Sequence, residues 1–178
     1  HMPVSGNGTV FDIYGADDTG ADDRPVIALV HGLGLTRATW DGHIPHLAEH
    51  YRVLNYDLYG HGDSPPPPRR PDLSLFAEQL AELMDELAIA QSATVGFSLG
   101  GMINRRFAMD FPTRVWALGI LNSPHERGVE AQKLVEERAA RSDEGGPGAT
   151  LDATIERWFT PEFIRYHADI IIRLRSWV

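Results

Sequence analysis

Cysteine is absent from all 178 residues, and no apolar run is long enough to span a bilayer. The first absence excludes disulfides, thiolate metal sites and a cysteine nucleophile, and it fits a reducing cytoplasm. Basic residues are scarce as well, because 16 lysines and arginines stand against 25 aspartates and glutamates, for a formal charge of −9. This balance argues against nucleic acid or an anionic membrane as a partner.

Motifs for phosphate, dinucleotide and metal binding are also missing. The glycine-rich turn at residues 31–36 contains neither G-x-x-x-x-G-K-[ST] nor the G-x-G-x-x-G spacing. His43, His46 and His50 fall at helical spacings of three and four, but no carboxylate completes a recognisable ligand set around them. We therefore predict a surface helix there, and no metal or cofactor.

The most informative stretch present is the one at residues 93–101. A short β-branched run breaks at Gly96, presents Ser98 and restarts as an amphipathic helix from Leu99 onward. Gly96 to Gly100 spell G-x-S-x-G, a sharp turn between strand and helix that exposes a nucleophilic serine. Small residues two positions before and after the serine let strand and helix approach closely. The turn predicts Ser98 as the catalytic nucleophile and the backbone N–H of Leu99 as an oxyanion donor.

A second turn complements the first. Residues 25–30 form a continuous apolar run, as expected of a strand buried on both faces, and Gly32, Leu33 and Gly34 follow it. A glycine-rich turn at the carboxyl edge of a parallel sheet can aim backbone N–H groups at a ligand. We predict an oxyanion hole formed by the N–H groups of Leu33 and Leu99, with Gly34 as the alternative to Leu33.

Apolar runs alternate with helical patterns through the first 124 residues. Strands are predicted at 9–14, 25–30, 51–57, 93–97 and 115–122, and the last of these is expected to be buried. A helical apolar stripe covers 73–87. The order predicts an α/β fold with a mostly parallel sheet and helices on both faces. Ligands bind such sheets at the carboxyl ends of the strands, so the substrate-pocket candidates there are Gly32, Gly34, Phe97, Asn122 and His125.

The pattern changes to helices alone after residue 125. We therefore divide the chain into a core at 3–124 and a helical cap, or lid, at 125–178, which we expect to be incomplete. Trp158 is a further pocket candidate. Together with Phe159, Phe163 and Tyr166 it could line an acyl pocket, but aromatics at helical spacing more often pack a cap on the core, and we favour packing.

Four segments together resemble the α/β-hydrolase family: the turn at 31–34, the loop Asp57-Leu-Tyr-Gly-His-Gly-Asp-Ser64, the turn at 96–100 and the strand end at 122–124. The segment Arg157-Trp-Phe-Thr-Pro161 resembles the cap of the 3-oxoadipate enol-lactonase group and its esterase relatives. The resemblance implies a cofactor-free serine hydrolase, in which Ser98 attacks an ester or lactone carbonyl and water releases the acyl group.

The same resemblance exposes a departure from the family. Its order is serine, then acid, then histidine, with the last two on loops after further strands, and residues 125–178 show only helical patterns. We expect the acid and the histidine to lie on a C-terminal segment or a second chain that completes the fold. His61 and His125 are the local alternatives for the base. Without a base, these residues alone should be nearly inactive.

The substrate stays open at this point. The first reading is hydrolysis of a small carboxylic ester or lactone. The second, an enol-lactonase of aromatic catabolism, would need an arginine for the substrate carboxylate, and the candidates are Arg105, Arg106, Arg127 and Arg157. A different class is a catalytically weak scaffold that binds a small molecule. Perhydrolysis by the same serine is not separable from esterase activity in the sequence.

Overall fold

The computed structural model describes residues 3–15, 23–145 and 150–177. The chain divides into two compact units, His1–Pro124 and His125–Val178. The strands of the first unit are β1 (Phe11–Tyr14), β2 (Val26–Val30), β3 (Arg52–Tyr56), β4 (Ser92–Phe97) and β5 (Val115–Leu121). Its helices are α1 (Ile44–Ala48), α2 (Leu73–Glu86) and α3 (Leu99–Asp110), with 3₁₀ turns at Arg37–Trp40 and Pro112–Arg114.

The five strands form one sheet in the order β1-β3-β2-β4-β5. Strand β1 runs antiparallel to β3, and all other neighbours are parallel. The mostly parallel α/β sheet predicted from the sequence is therefore confirmed. Strand β4 lies between β2 and β5, so the ends of these three strands, where the two candidate turns begin, are side by side.

Helices cover both faces of the sheet because the central strands are apolar on both sides. All five residues of β2 are buried. Alternate residues of this strand face two different cores: Ala28 and Val30 pack with α2 and α3, while Ile27 and Leu29 pack with Trp40 and the residues of α1. This two-sided burial is what fixes β2 and β4 at the centre of the unit.

Helix α2 follows the predicted stripe closely. The Asp72 side chain caps its first turn by accepting a hydrogen bond from the N–H of Leu75 at 2.7 Å. The inward face carries Leu80, Leu83 and Met84, all without exposed surface, whereas Leu73 at the start of the helix is 37% exposed. The helix is therefore held mainly by the apolar face it buries against the sheet.

Strand β5 does not fit the expectation of a buried strand. Its only strand neighbour among the described residues is β4, which makes it an edge of the sheet. Trp116, Leu118 and Leu121 are between 44% and 48% exposed. The apolar run Val-Trp-Ala-Leu-Gly-Ile-Leu thus has the composition of an interior strand but the exposure of an outer one, because no described strand pairs with its outer edge.

In its described residues, the second unit is helical. It comprises α4 (Val129–Gly145), α5 (Leu151–Trp158), α6 (Pro161–Tyr166) and α7 (Ala168–Arg175). The Thr160 side chain caps α6, and the rings of Phe159, Phe163 and His167 stack in succession at 4.8 and 4.3 Å. His167 separates α6 from α7. No described helix has the length and apolarity needed to cross a membrane.

Two leucines on α2 allow a test of this core. Because Leu83 is fully buried and Leu73 is 37% exposed, we expect Leu83→Ala to lower the free energy of unfolding by about 2–5 kcal/mol and Leu73→Ala by less than about 1 kcal/mol. Urea unfolding followed by circular dichroism measures both. Equal losses at the two positions would contradict the described orientation of α2.

Candidate active site

Ser98 occupies a strained turn between β4 and α3. Its backbone has φ 54° and ψ −113°, a combination that side-chain-bearing residues rarely adopt. The turn is held on both sides: the Ser98 N–H donates to the carbonyl of Leu121 at 2.9 Å, and the Ser98 carbonyl accepts from the N–H of Gly101 at 3.1 Å. Strain maintained by surrounding bonds is a feature of functional sites.

The two motif glycines are required by close contacts. A Cβ on Gly96 would collide with the backbone of Gly100 and lie 2.6 Å from Nδ2 of Asn104, and a Cβ on Gly100 would collide with the carbonyl of Val30. No side chain fits at either position. The start of α3 therefore lies directly against the ends of β4 and β2, as the spacing predicted.

The glycine-rich turn after β2 contacts the same place. A Cβ on Gly32 would lie 3.2 Å from the ring of Phe97 and 3.4 Å from the Phe97 carbonyl. Gly34 has φ +70° and open space around it, and the Leu33 side chain is 69% exposed. The turn therefore packs beside the serine through Gly32, while Leu33 and Gly34 remain at the surface.

The backbone N–H groups of Leu33 and Leu99 have no acceptor among the residues the structure describes. In the first turn, the N–H of Leu35 is already bonded to the Gly32 carbonyl at 3.2 Å. Leu99 is the first residue of α3, whose positive dipole end lies at Ser98. An unbonded N–H at the positive end of a helix is a group that can bind an anion.

His31 is buried under this site. Its Nε2 accepts the N–H of Leu58 at 3.0 Å, and its Nδ1 lies 2.8 Å from the Gly32 carbonyl, so the proton is assigned to Nδ1. Burial lowers the pKa of His31 to about 3, opposed by the hydrogen bond to Gly32 and aided by the charges of His61 and Arg37. The imidazole is therefore neutral, and both of its nitrogens are hydrogen-bonded to backbone groups.

An ion cluster lies at the other end of the same turn. Arg37 binds three carboxylates, those of Asp12, Asp57 and Asp63. Asp57 is fully buried and also accepts the N–H groups of Arg37 and Asp63 at 2.7 and 3.1 Å. Partial burial by itself lowers the pKa of Arg37, but the charge of Asp57 and the hydrogen bonds to Asp63 and Asp12 raise it above its usual value.

This cluster was not predicted from the sequence. Its members come from three separate segments, namely β1, the turn at Arg37 and the 57–64 loop, so no local spacing indicates them. The nearest signal was Gly62, which follows Asp57 in the 57–64 loop: with φ +51° it approaches the Asp57 carboxylate so closely that a Cβ would collide with it.

The loop after β5 packs against the first turn of α3. Asn122 has φ 44° and is exposed, and a Cβ on Gly101 would lie 2.5 Å from Cβ of Ser123. Arg105, on α3, donates to the Ser123 hydroxyl at 3.3 Å and to the Pro124 carbonyl at 3.2 Å. Arg105 is thus engaged in tying this loop to the helix that starts at the serine.

The predicted residues therefore fall into two groups. Ser98, Leu33, Leu99, Gly32, Gly34, Phe97 and Asn122 lie at the carboxyl ends of β2, β4 and β5 in the first unit. His125 and Trp158 belong to the second unit, and their part in a pocket stays a prediction. Of the histidines in the 57–64 loop and after β2, His61 bonds to the Tyr59 carbonyl at 3.0 Å, and His31 is engaged as described above. Neither one is bonded to Ser98.

Comparison with known proteins agrees with this geometry. A family model described as the alpha/beta hydrolase fold matches residues 25–157. The chain is 31% identical to 3-oxoadipate enol-lactonase 2 of Acinetobacter baylyi, covering 87% of the chain and 57% of that enzyme. It is 26% identical to (E)-2-((N-methylformamido)methylene)succinate hydrolase of the same organism, covering 83% of the chain and 56% of that enzyme.

Among solved structures, the enol-lactonase from Burkholderia xenovorans LB400 superimposes with a TM-score of 0.85 at 28% identity. That match covers 96% of this chain and 65% of the lactonase. The chain therefore spans between 56% and 65% of the length of these three relatives.

Backbone strain at the serine predicts an unusual stability order. Ser98→Ala keeps a Cβ at φ 54°, whereas glycine adopts this conformation freely. We expect Ser98→Gly to be more stable than Ser98→Ala by about 1 kcal/mol. The comparison uses thermal or urea unfolding of the two variants. If glycine were the less stable of the two, as it is in the interior of a helix, the described strain would be wrong.

The neutral, buried His31 predicts a dependence of stability on pH. An unfolded histidine titrates near pH 6.5, while burial holds the pKa of folded His31 at about 3. Between these values the unfolded state binds the additional proton, so the free energy of unfolding falls as the pH is lowered from 6.5, by at most about 1.4 kcal/mol per pH unit.

The histidine's share of that slope is isolated by substitution. We expect His31→Gln to be less stable at pH 7 and to show a shallower loss below pH 6.5, measured by urea unfolding across the pH range. His50→Gln, at an exposed position, is the matched control and should keep the parent slope. A variant of His31 with the parent slope would show that this imidazole is not the group responsible.

Proposed function

The chain belongs to the α/β-hydrolase family, and on that premise we propose that it carries the nucleophile and the oxyanion hole of a serine hydrolase acting on a small carboxylic ester or lactone. The observation that supports this most is Ser98 itself: a serine at φ 54° on the turn before α3, beside backbone N–H groups that have no acceptor in the described chain. A structural serine gains nothing from such strain.

The proposed reaction follows from these groups. Ser98 Oγ attacks the carbonyl carbon of the substrate while its proton passes to a base. The carbonyl oxygen becomes an oxyanion, which the N–H groups of Leu33 and Leu99 and the positive end of α3 stabilise. When the tetrahedral intermediate collapses, the bond to the leaving oxygen breaks and that oxygen takes the proton. Water then attacks the acyl-serine by the same route and frees the acid.

We infer that the base and its carboxylate partner come from a polypeptide segment that is not among the described residues. In the first unit, His31 is engaged by Gly32 and Leu58, and the His61 Nδ1 by the Tyr59 carbonyl. The relatives are longer than this chain. The outer edge of β5, with its half-exposed Trp116 and Leu118, is an apolar surface suited to an added parallel strand.

A narrower proposal concerns lactones that bear a carboxylate. Two compared relatives are enol-lactonases by name. Such a substrate needs a cation in the pocket. Of the arginines considered from the sequence, Arg105 is engaged with Ser123 and Arg106 forms an ion pair with Asp110. Arg127 and Arg157 belong to the second unit and stay candidates from the sequence alone. If neither serves, a neutral ester is the better substrate.

The second function class is a binding protein that keeps the hydrolase scaffold with little or no turnover. The exposed turn at Leu33 and Gly34 and the unbonded N–H groups suit an anionic or carbonyl-bearing ligand equally well. What separates the two classes is whether Ser98 forms a covalent acyl or phosphonyl bond.

A fluorophosphonate probe with imidazole added in solution tests this function. If the base lies outside the described residues, free imidazole should substitute for it, so the rate of phosphonylation should rise in proportion to imidazole concentration. Intact-mass spectrometry follows the adduct, and peptide mapping should locate it on Ser98. Ser98→Ala should remain unlabelled, while Ser74→Ala, a serine on α2 away from the site, should label as the parent does.

The other outcomes are equally informative. Rapid labelling of Ser98 that imidazole does not change would show that the base is in this chain, with His61 and His125 as the first candidates. Absence of labelling at every imidazole concentration, in protein that unfolds cooperatively, would contradict the enzyme and favour the binding scaffold.

A further inference from the structure

The turn at residues 32–36, which carries the proposed oxyanion donor Leu33, is hydrogen-bonded on both sides to the same short segment of chain. Before the turn, the Nε2 of His31 accepts the N–H of Leu58. After the turn, the N–H and the guanidinium of Arg37 bind the carboxylate of Asp57. Residues 32–36 are therefore flanked by His31 and Arg37, which are both hydrogen-bonded to the dipeptide Asp57–Leu58. That dipeptide is more than twenty residues away from the turn in sequence.

That dipeptide is itself held firmly. The carbonyl of Asp57 accepts hydrogen bonds from the Ser64 hydroxyl at 2.8 Å and from Nε2 of Gln79 at 3.2 Å. Asp57, Leu58 and Gln79 have no exposed surface. The anchor is thus rigid and shielded from water, which makes it a suitable reference point for a loop that must hold its donors in place.

His31 also acts on the peptide that bears the first oxyanion donor. Its Nδ1–H donates to the Gly32 carbonyl at 2.8 Å, and the N–H of Leu35 donates to the same oxygen at 3.2 Å. The Gly32–Leu33 peptide is trans and planar, so its C=O and N–H point in opposite directions. Because two donors fix the direction of the Gly32 oxygen, they also fix the direction of the Leu33 N–H, which is opposite to it.

We propose that His31 is a positioning residue, which holds the Gly32–Leu33 peptide so that the Leu33 N–H, and not that of Gly34, is the second oxyanion donor. This inference rests on the proposed function and adds the residue that orients the first oxyanion donor. The His31 imidazole bonds the Gly32–Leu33 peptide through Nδ1 and the Asp57–Leu58 segment through Nε2. His31 touches no substrate atom, and its effect passes through the backbone.

Gly34 lacks both features of that arrangement. The carbonyl of Leu33, which shares a peptide plane with the Gly34 N–H, receives no hydrogen bond from the described residues. Gly34 has φ +70°, and no atom lies within 4 Å of the position that a Cβ would occupy, so the turn is not packed on that side of Gly34. A preorganised donor is worth far more than one that must be ordered during the reaction.

The first test is spectroscopic and does not depend on reactivity. In a long-range ¹H–¹⁵N correlation spectrum of the chain, His31 should appear as the neutral tautomer with its proton on Nδ1, and it should stay so from pH 7 down to the onset of acid unfolding. A His31 signal of the Nε2–H tautomer, or of an imidazolium at pH 6, would overturn the proposed positioning role of His31, whether or not Ser98 is reactive.

The second test separates positioning from stability. With p-nitrophenyl acetate and added imidazole, we expect His31→Leu to lower the acylation rate constant about 10²–10³-fold, the loss typical of one oxyanion donor, with KM changed less than about 3-fold. His31→Gln keeps one donor and one acceptor and should recover part of the rate. Leu83→Ala, a core substitution on α2, is the control for general destabilisation.

The outcomes distinguish this inference from the proposed function. If the parent chain forms no acyl-serine, the proposed hydrolase function is wrong. The tautomer spectrum still shows whether His31 makes the two hydrogen bonds on which its positioning role depends. If His31→Leu and Leu83→Ala, compared at temperatures where both are folded, lower the acylation rate equally, or if His31→Gln recovers none of it, His31 is structural only and the proposal is overturned.

Discussion

The close approach of the start of α3 to the ends of β2 and β4 is the constraint on which the rest of the site depends. Gly96 and Gly100 permit it, since a Cβ at either position would collide with backbone. With the helix so near, the chain must reverse within one residue, and that residue is Ser98 at φ 54°. The strain is maintained because β4 is paired on both sides, to β2 and to β5.

The same contact brings the glycine-rich turn at residues 31–36 beside the serine. Gly100 lies against the carbonyls of Val30 and His31, and Gly32 lies against Phe97. The two turns are thus one packed unit made of two strand ends. Beneath it, His31 and the Arg37–Asp57 ion pair fasten the turn to the loop after β3. The hydrogen bonds of His31 to Gly32 and Leu58 are buried, and those of Arg37 to Asp57 are partly buried. We propose that together they hold the backbone donors of this turn in place.

Local patterns were sufficient to predict the parts of the fold that depend on local physics. The strand at β2, the capped helix after Asp72 and the turn at Ser98 each have their cause within a few residues. The expected burial of β5 was wrong, because burial depends on what covers a strand, and Trp116 and Leu118 are half exposed. The contacts that join His31, Arg37 and the 57–58 segment were missed, because bonds across twenty or more residues leave no spacing signal.

We propose that a strained serine and two backbone donors form a preorganised site for a tetrahedral oxyanion. A crystal structure of the fluorophosphonate-treated protein would show this site in use. We expect phosphorus bonded to Oγ of Ser98, with the phosphoryl oxygen about 2.7–3.1 Å from the backbone nitrogens of both Leu33 and Leu99. A phosphoryl oxygen directed to solvent, or bonded to Gly34 in place of Leu33, would contradict it.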